Sequence, residues 1–457
     1  MSVRLADREL PTDPREIARA VRHRVEATPR PLRIWYTVLL VLCAVGAVGA
    51  VLCLPPGWEV LGTRPTFEWG ILISAYVFFA ITTSGLCLAS SLGTVFGIEM
   101  FIPLEKRHAI LALLCLVTAF GVIALDLQYP VRMVLGAVLS PSPLSPMWWM
   151  GVFYGAYLVF LIVEVTSMFT GRWQIHRVAC VLSSITAIIA PTTLGAVFGV
   201  LSSRPYWHGA FTPPAMMAAA LLSGVALLGI IFACVHRFRL AGFERVGALA
   251  IPAIRLLLTI ILAVTVLVVG WDTAWGLYGD VPGLSDATAA ILVGPLALPF
   301  WIVRVFLGLI VPLALLALPR TRTPAGLFAA SCLVFVGVFA DRAIFVSAGQ
   351  VAPATAVAGV LPAPFATYIP SLVEISVVVG ALAFLALVYT IAELHLPMGE
   401  HQGHLAGAFL GSGTPVTAAG VAAGTAAGPA TSPAAGAEEP AAGGRSAPLA
   451  DIGGGVL

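Results

Sequence analysis

Charged side chains are scarce in this chain, so those lying within long apolar stretches are the first candidates for chemistry. Asp126, Glu164, Asp272, Asp341, Glu374 and Glu393 fall in or at the ends of such stretches, as do Arg255, Arg304 and Arg342, and Glu99 lies just beyond the end of one. Glu68, Arg132 and His208 lie in the connections. A charge at the centre of a bilayer costs roughly 2.5–3.5 kcal/mol on insertion scales, so each needs a partner, water or a task. Two accounts stay open. Asp341, Arg342 and Glu374 could pair for structure while terminal charges reach out to water. Alternatively, Glu99, Glu164, Arg304, Asp341, Arg342 and Glu374 could relay protons between two faces, since such relays are built from chains of this kind.

Several chemistries are not expected. His108, His176, His236 and His395 fall at the ends of apolar runs and His208 in a connection, so paired axial ligands for a haem are not in place. The seven cysteines, Cys43, Cys53, Cys87, Cys115, Cys180, Cys234 and Cys332, are dispersed and form no CxxC. That spacing suits neither a disulfide framework nor a zinc or iron–sulfur site. No clustered metal ligands are evident. What remains is an organic ligand entering from lipid, or a transported solute.

The elements that must position these residues are membrane helices. Of 457 residues, 59% are hydrophobic and only 10% charged, against about 25% charged in a soluble domain. Ten runs are long enough to cross a bilayer: 35–54, 69–93, 108–125, 148–169, 178–200, 214–235, 253–271, 291–318, 325–347 and 368–394. The eighth holds Pro295, Pro299 and Pro312 and should kink. Basic residues alternate between connections. Eight arginines from Arg4 to Arg33, then Lys106 and Arg107, Arg172 and Arg177, Arg237, Arg239 and Arg245, and Arg320 and Arg322 share one side; Arg64, Arg132 and Arg204 take the other. The positive-inside rule then puts both termini in the cytoplasm. The expected fold is an all-α integral membrane protein of the cell (inner) membrane, with two four-helix bundles plus flanking helices. Residues 1–34 form a basic N-terminal segment, with a helix start at Asp13-Pro14-Arg15-Glu16 lying against lipid. Residues 35–398 form the membrane domain, and 399–457 a disordered Gly/Ala/Pro-rich tail. Gly93 with Gly97 and Gly195 with Gly199 form GxxxG pairs suited to close helix packing. Nucleic acid is not an expected partner.

Four groups of strings resemble one family. Asp126-Leu127-Gln128-Tyr129-Pro130-Val131-Arg132 is similar to an acidic-Leu-x-x-Pro-x-Arg segment of the polysulfide reductase membrane subunits, the NrfD family, and Ser145-Pro146-Met147-Trp148-Trp149-Met150-Gly151 resembles the segment that follows it. Leu194 to Gly199 with Arg204-Pro205-Tyr206-Trp207-His208-Gly209 resembles the fifth-helix end of the ten-helix branch. Asp341-Arg342 and Tyr368-Ile369-Pro370-Ser371-Leu372-Val373-Glu374 resemble the C-terminal signature.

This resemblance implies a membrane anchor of a multi-subunit oxidoreductase, like those of periplasmic hydrogenases and alternative complex III, with no haem or iron–sulfur cluster of its own. It implies menaquinone or ubiquinone as substrate and an iron–sulfur partner on the outer face. Behind that partner would stand a molybdopterin, hydrogenase or multihaem cytochrome subunit. The chain departs from the family where quinone sites often carry His, Asn or Tyr. Thr66, Phe67 and Glu68 occupy one such place and Pro191, Thr192 and Thr193 the other. The expected site lies near the outer face in spans two to five. There Asp126 exchanges protons, Arg132 orients it, and Glu68 and His208 are further quinone-binding candidates. A carboxyl desolvated at a membrane edge favours its neutral form, which suits that work. The rival readings are a secondary transporter, which ten spans and Pro-broken helices also fit, and a structural anchor without its own quinone site.

Overall fold

The computed structural model describes residues 29–54, 60–98, 101, 105–127, 131, 135, 139–240, 242–279, 281–352, 365–396 and 398. Glu99, Arg132, nearly all of the basic N-terminal segment and the tail lie outside them. Ten helices among the described residues are long and apolar enough to span a bilayer. They are α1 (Arg30–Cys53), α2 (Ile71–Thr94), α3 (Glu105–Asp126), α4 (Pro146–Thr170), α5 (Trp173–Gly199), α6 (Thr212–Arg237), α7 (Val246–Tyr278), α9 (Pro299–Ala317), α10 (Pro324–Val351) and α11 (Leu372–His395). A short helix, α8 (Leu284–Leu292), precedes α9. This is the all-α membrane architecture expected from composition. The face from which α1 starts is termed near, and the face where it ends far.

Two four-helix bundles share the molecule. Helices α2 to α5 pack as the first, and α6, α7, α9 and α10 as the second. Helices α2 and α6 join them, while α1 packs along α11 as a flanking pair. Burial follows: 83% of the apolar window of α2 is buried against 22% for α1. Glycine pairs allow three of the crossings. A Cβ on Gly85 of α2 would overlap the Ala220 carbonyl of α6, and one on Gly224 would overlap the Gly85 backbone. Gly308 of α9 meets Gly337 of α10, and Gly46 of α1 meets Gly380 of α11. Of the glycine pairs noted in the sequence, Gly195 and Gly199 do pack, against Pro213 and the Gly209 carbonyl. Gly97 does not; it turns with φ 71° in open space.

Helix starts follow local chemistry. Ser145 caps α4, its hydroxyl accepting from Trp148 N, with Pro146 in the first turn. That accounts for half of the Ser145–Gly151 string as a helix-entry signal. Two boundaries are set by proline rather than by hydropathy. The eighth run is not one helix. Residues 293–298 interrupt it, where Pro295 and Pro299 withhold donors, and α9 opens as a π-helix over Pro299–Ile310. Pro312 has no N–H for the carbonyl four residues back, and Val311 N instead reaches Phe306 O. The tenth span starts at Leu372 rather than Tyr368. Pro370 holds the residue before it extended, and Ser371 with Glu374 forms a capping box.

Candidate functional site

Three polar places lie in the far half. The first is built around Glu374 in the opening turn of α11. Its Oε2 accepts from Gly62 N at 3.0 Å and Ser371 N at 2.7 Å, and its Oε1 accepts from Tyr368 Oη at 2.7 Å. Tyr368 Oη in turn accepts from Ile71 N at 2.8 Å, closing the start of α2. Burial, then the Glu374 carboxylate, push the Tyr368 phenol far above its ordinary pKa, against the opposing pull of the Ile71 N–H. Glu374 is thus saturated and lies at a helix terminus, shallower than the sequence implied. Asp126, the last residue of α3, sits within electrostatic range of Glu374 and Tyr368. It is half-buried, and no hydrogen bond from the described residues engages its carboxyl.

The second place carries Glu68 and His208, both exposed. Each adjoins a packed tryptophan. Trp69 stacks on Trp207 with centroids 5.0 Å apart, and Phe198 meets both rings edge-on. Trp207 Nε1 donates to Phe345 O at 2.8 Å, and its ring fills the space left by Gly349. The Gln350 side chain pairs with the Trp69 backbone, donating to its O and accepting from its N, both at 2.9 Å. The fifth-helix string therefore supplies the packing that brings the Glu68 and His208 stretches together on one surface.

The third place is a cavity of about 70 Å³ in the second bundle, walled by α6, α7, α9 and α10. Asp272, Arg304, Asp341 and Arg342 line it. Asp341 pairs with Arg304 through one oxygen and with Arg342 through the other, the Arg342 Nε contact being 2.9 Å. Arg342 also covers the Phe345 ring at 5.2 Å and meets Met216 Sδ. Tyr206 closes the cavity from the connection; burial, then Asp272, keep its phenol protonated. Because α9 begins at Pro299, Arg304 lies five residues inside its far end, not at mid-span.

The residues named as a relay thus fall apart into separate places among the described residues. Arg304, Asp341 and Arg342 share the cavity, Glu374 caps α11, and Glu164 lies in the near half of the first bundle beside His108. Further near-half pairings escape a reading of the sequence because both members sit near run ends. Arg107 forms a two-pronged pair with Glu393 at 2.6 and 3.0 Å, joined by Tyr389 Oη at 2.8 Å. His176, fully buried, pairs with Glu105 at 2.7 Å. Among the described residues no cluster of three or more metal-ligating side chains occurs.

Residues 59–354 match the family described as polysulphide reductase, NrfD. The chain belongs to the NrfD family. Its sequence is 26% identical over 377 residues to an Hdr-like menaquinol oxidoreductase integral membrane subunit of Archaeoglobus fulgidus, covering 78% of this chain and 92% of that one. It is 23% identical over 415 residues to the C subunit of selenate reductase from Mesobacillus selenatarsenatis, covering 81% and 95%. It is 27% identical over 410 residues to a putative membrane subunit of dimethyl sulfoxide reductase from Halobacterium salinarum, covering 80% and 91%. The NrfD match ends before the 368–374 string, whose Tyr368 and Glu374 serve the far-face hydrogen-bond lock.

Proposed function

We propose that this NrfD protein is the quinone-interacting membrane anchor of a multi-subunit oxidoreductase. It would exchange electrons between a quinone pool and an iron–sulfur partner on the outer face. The observation that carries this reading is near full-length similarity to membrane subunits of reductase complexes, one of them named for menaquinol. The far face is read as the outer one, since Lys106, Arg107, Arg172, Arg177, Arg237, Arg320 and Arg322 border near-face helix ends. Both termini are then cytoplasmic and the membrane is the cell membrane.

A quinone supplies two-electron, two-proton chemistry when bound. The residues around Asp126 fit such a ligand: a half-buried carboxyl at a helix end, unengaged by the described residues, beside a locked carboxylate that holds the loops in place. Asp126 would hold or release a proton at its carboxyl. Arg132, six residues on, would orient it, and Glu68 and His208 would face the partner or the ring from the neighbouring surface. Removing a positioned proton-transfer group costs about 10²–10⁴ in rate. Asp126→Asn is therefore expected to cut quinone-linked turnover of the assembled complex by at least roughly 10². Unchanged turnover would show the assignment to be wrong.

A further inference from the structure

The charges in the second-bundle cavity pair with one another only in part. Asp341 gives one oxygen to Arg304 and the other to Arg342. Arg342 is thereby fully committed, with Nε and one outer nitrogen on Asp341 and the other outer nitrogen on Met216 Sδ. Arg304 is not. It meets Asp341 through Nε, and neither of its outer nitrogens has a hydrogen bond to a described residue. Asp272, half-buried on α7, lies within electrostatic range of both arginines and is hydrogen-bonded to neither. The cavity therefore presents two N–H₂ groups in need of an acceptor and a carboxylate in need of a donor. Desolvated charges left in this state are costlier than neutral polar groups and call for a partner.

The cavity opens sideways, toward lipid. Tyr206 and Phe211 line it at the far end, and α8 packs there on α7, α9 and α10. Helix α6 packs along α7 and α10, and α10 packs along both parts of α9. Helix α7 meets α9 through its near-end part, Val311–Ala317; the π-helical stretch that carries Arg304 packs on α10 instead. The open seam is thus the far half of the α7–α9 boundary. Exposed aromatic side chains mark its depth. Trp271 directly precedes Asp272, Trp275 and Tyr278 follow it, and Trp301 stands three residues before Arg304. Exposed Trp and Tyr gather at the level of lipid headgroups. Deeper in the cavity the lining turns apolar, with Leu222, Val269 and Leu309. Its volume of about 70 Å³ exceeds what one water needs, roughly 10–15 Å³. It falls well short of the roughly 300–1,000 Å³ of sites that enclose a whole drug-sized ligand.

We propose that the far half of the α7–α9 seam is a headgroup site for an aminophospholipid of the far leaflet. The phosphate accepts from the outer nitrogens of Arg304, a geometry to which a guanidinium is suited. The ammonium donates to Asp272, and the acyl chains stay in the bilayer along α7 and α9. Two arginines and two aspartates sum to zero charge, and a zwitterionic head keeps that balance. An anionic head without an amine satisfies Arg304 but leaves Asp272 without a donor. A quinone likewise offers acceptors only, and the ring of a quinol is too large for the space. The site is separate from the Asp126 region and does not depend on the quinone reading.

The test uses the full chain in its complex, purified in mild detergent and washed free of lipid. Its thermal midpoint is then measured with phosphatidylethanolamine, phosphatidylglycerol, phosphatidylcholine, inorganic phosphate or a soluble quinone analogue added back. A ligand that binds only the folded state raises the midpoint. Phosphatidylethanolamine is expected to raise it by several degrees, and each of the others by clearly less. Phosphatidylcholine carries the same phosphate but no N–H to give Asp272. Arg304→Gln and Asp272→Asn should each remove the advantage of phosphatidylethanolamine. Val268→Trp, which narrows the seam without removing a charge, should remove it too and decides the matter if the charge variants do not assemble. An equal rise with all three lipids would overturn the proposal. So would a full rise with inorganic phosphate, which means a free-anion site, or with the quinone analogue, which means a second quinone site. Variants that keep the wild-type preference would overturn it as well.

Discussion

Two carboxylates a short distance apart on the far face have opposite situations. Glu374 accepts three hydrogen bonds and ties the start of α11 to the α1–α2 connection; Asp126 is engaged by none from the described residues. Replacing Glu374 by Gln puts an N–H₂ where acceptors are needed. It should lower the thermal midpoint by the equivalent of about 1–3 kcal/mol, whereas Asp126→Asn leaves it unchanged. Thermal unfolding in detergent reads the difference. Tyr368 adds a pH dependence. Its raised folded pKa means the lock contributes fully below the ordinary phenol value of about 10 and weakens as pH climbs above it. Tyr368→Phe should flatten that alkaline loss of stability; an equally steep loss in the variant would place its origin elsewhere. Depth along the sequence picks out both carboxylates, but only side-chain geometry separates the structural one from the available one. The buried partners of His108, His176 and Arg107 escape notice for the same reason: a helix end in sequence says nothing about which neighbouring helix covers it.

At the scale of elements, the helices and their order are legible because each needs about 20 apolar residues, and α1 to α7, α10 and α11 follow that rule. What hydropathy does not show is backbone detail inside an apolar run. The break at 293–298 and the π-helical start of α9 come from proline positions, and they move Arg304 toward the far end. Nor does it show which glycines matter. Gly85 and Gly224 lie four residues from no matching glycine, yet they form the closest crossing between the bundles. Gly85→Val forces those helices apart and should cost at least the roughly 1–3 kcal/mol of an overpacked core. Gly121→Val, with nothing within 4 Å of its Cβ, should be neutral. Equal behaviour of the two variants in a detergent melting assay would contradict the crossing.

The whole molecule is asymmetric between its faces. Arginines border the near ends, while Asp126, Glu68, His208 and the aromatic packing of Trp69 and Trp207 gather at the far ends. This asymmetry is legible from basic-residue counting and from the family strings. The strings look like site markers in sequence, however, and several prove to be packing: Trp207 fills space beside Gly349, and Ser145 caps a helix. Orientation has a direct check. In a background without accessible cysteines, His208→Cys should react with an impermeant thiol reagent added outside intact cells. Arg172→Cys should react only after the membrane is opened, and the reverse pattern would invert the topology. The central claim is that this NrfD protein anchors a quinone-linked redox complex. It is tested most directly by purifying the tagged chain from its native membranes in mild detergent and measuring bound quinone and iron per chain. The account predicts that an iron–sulfur subunit and quinone elute with it. A folded, monodisperse chain that elutes without either would contradict it.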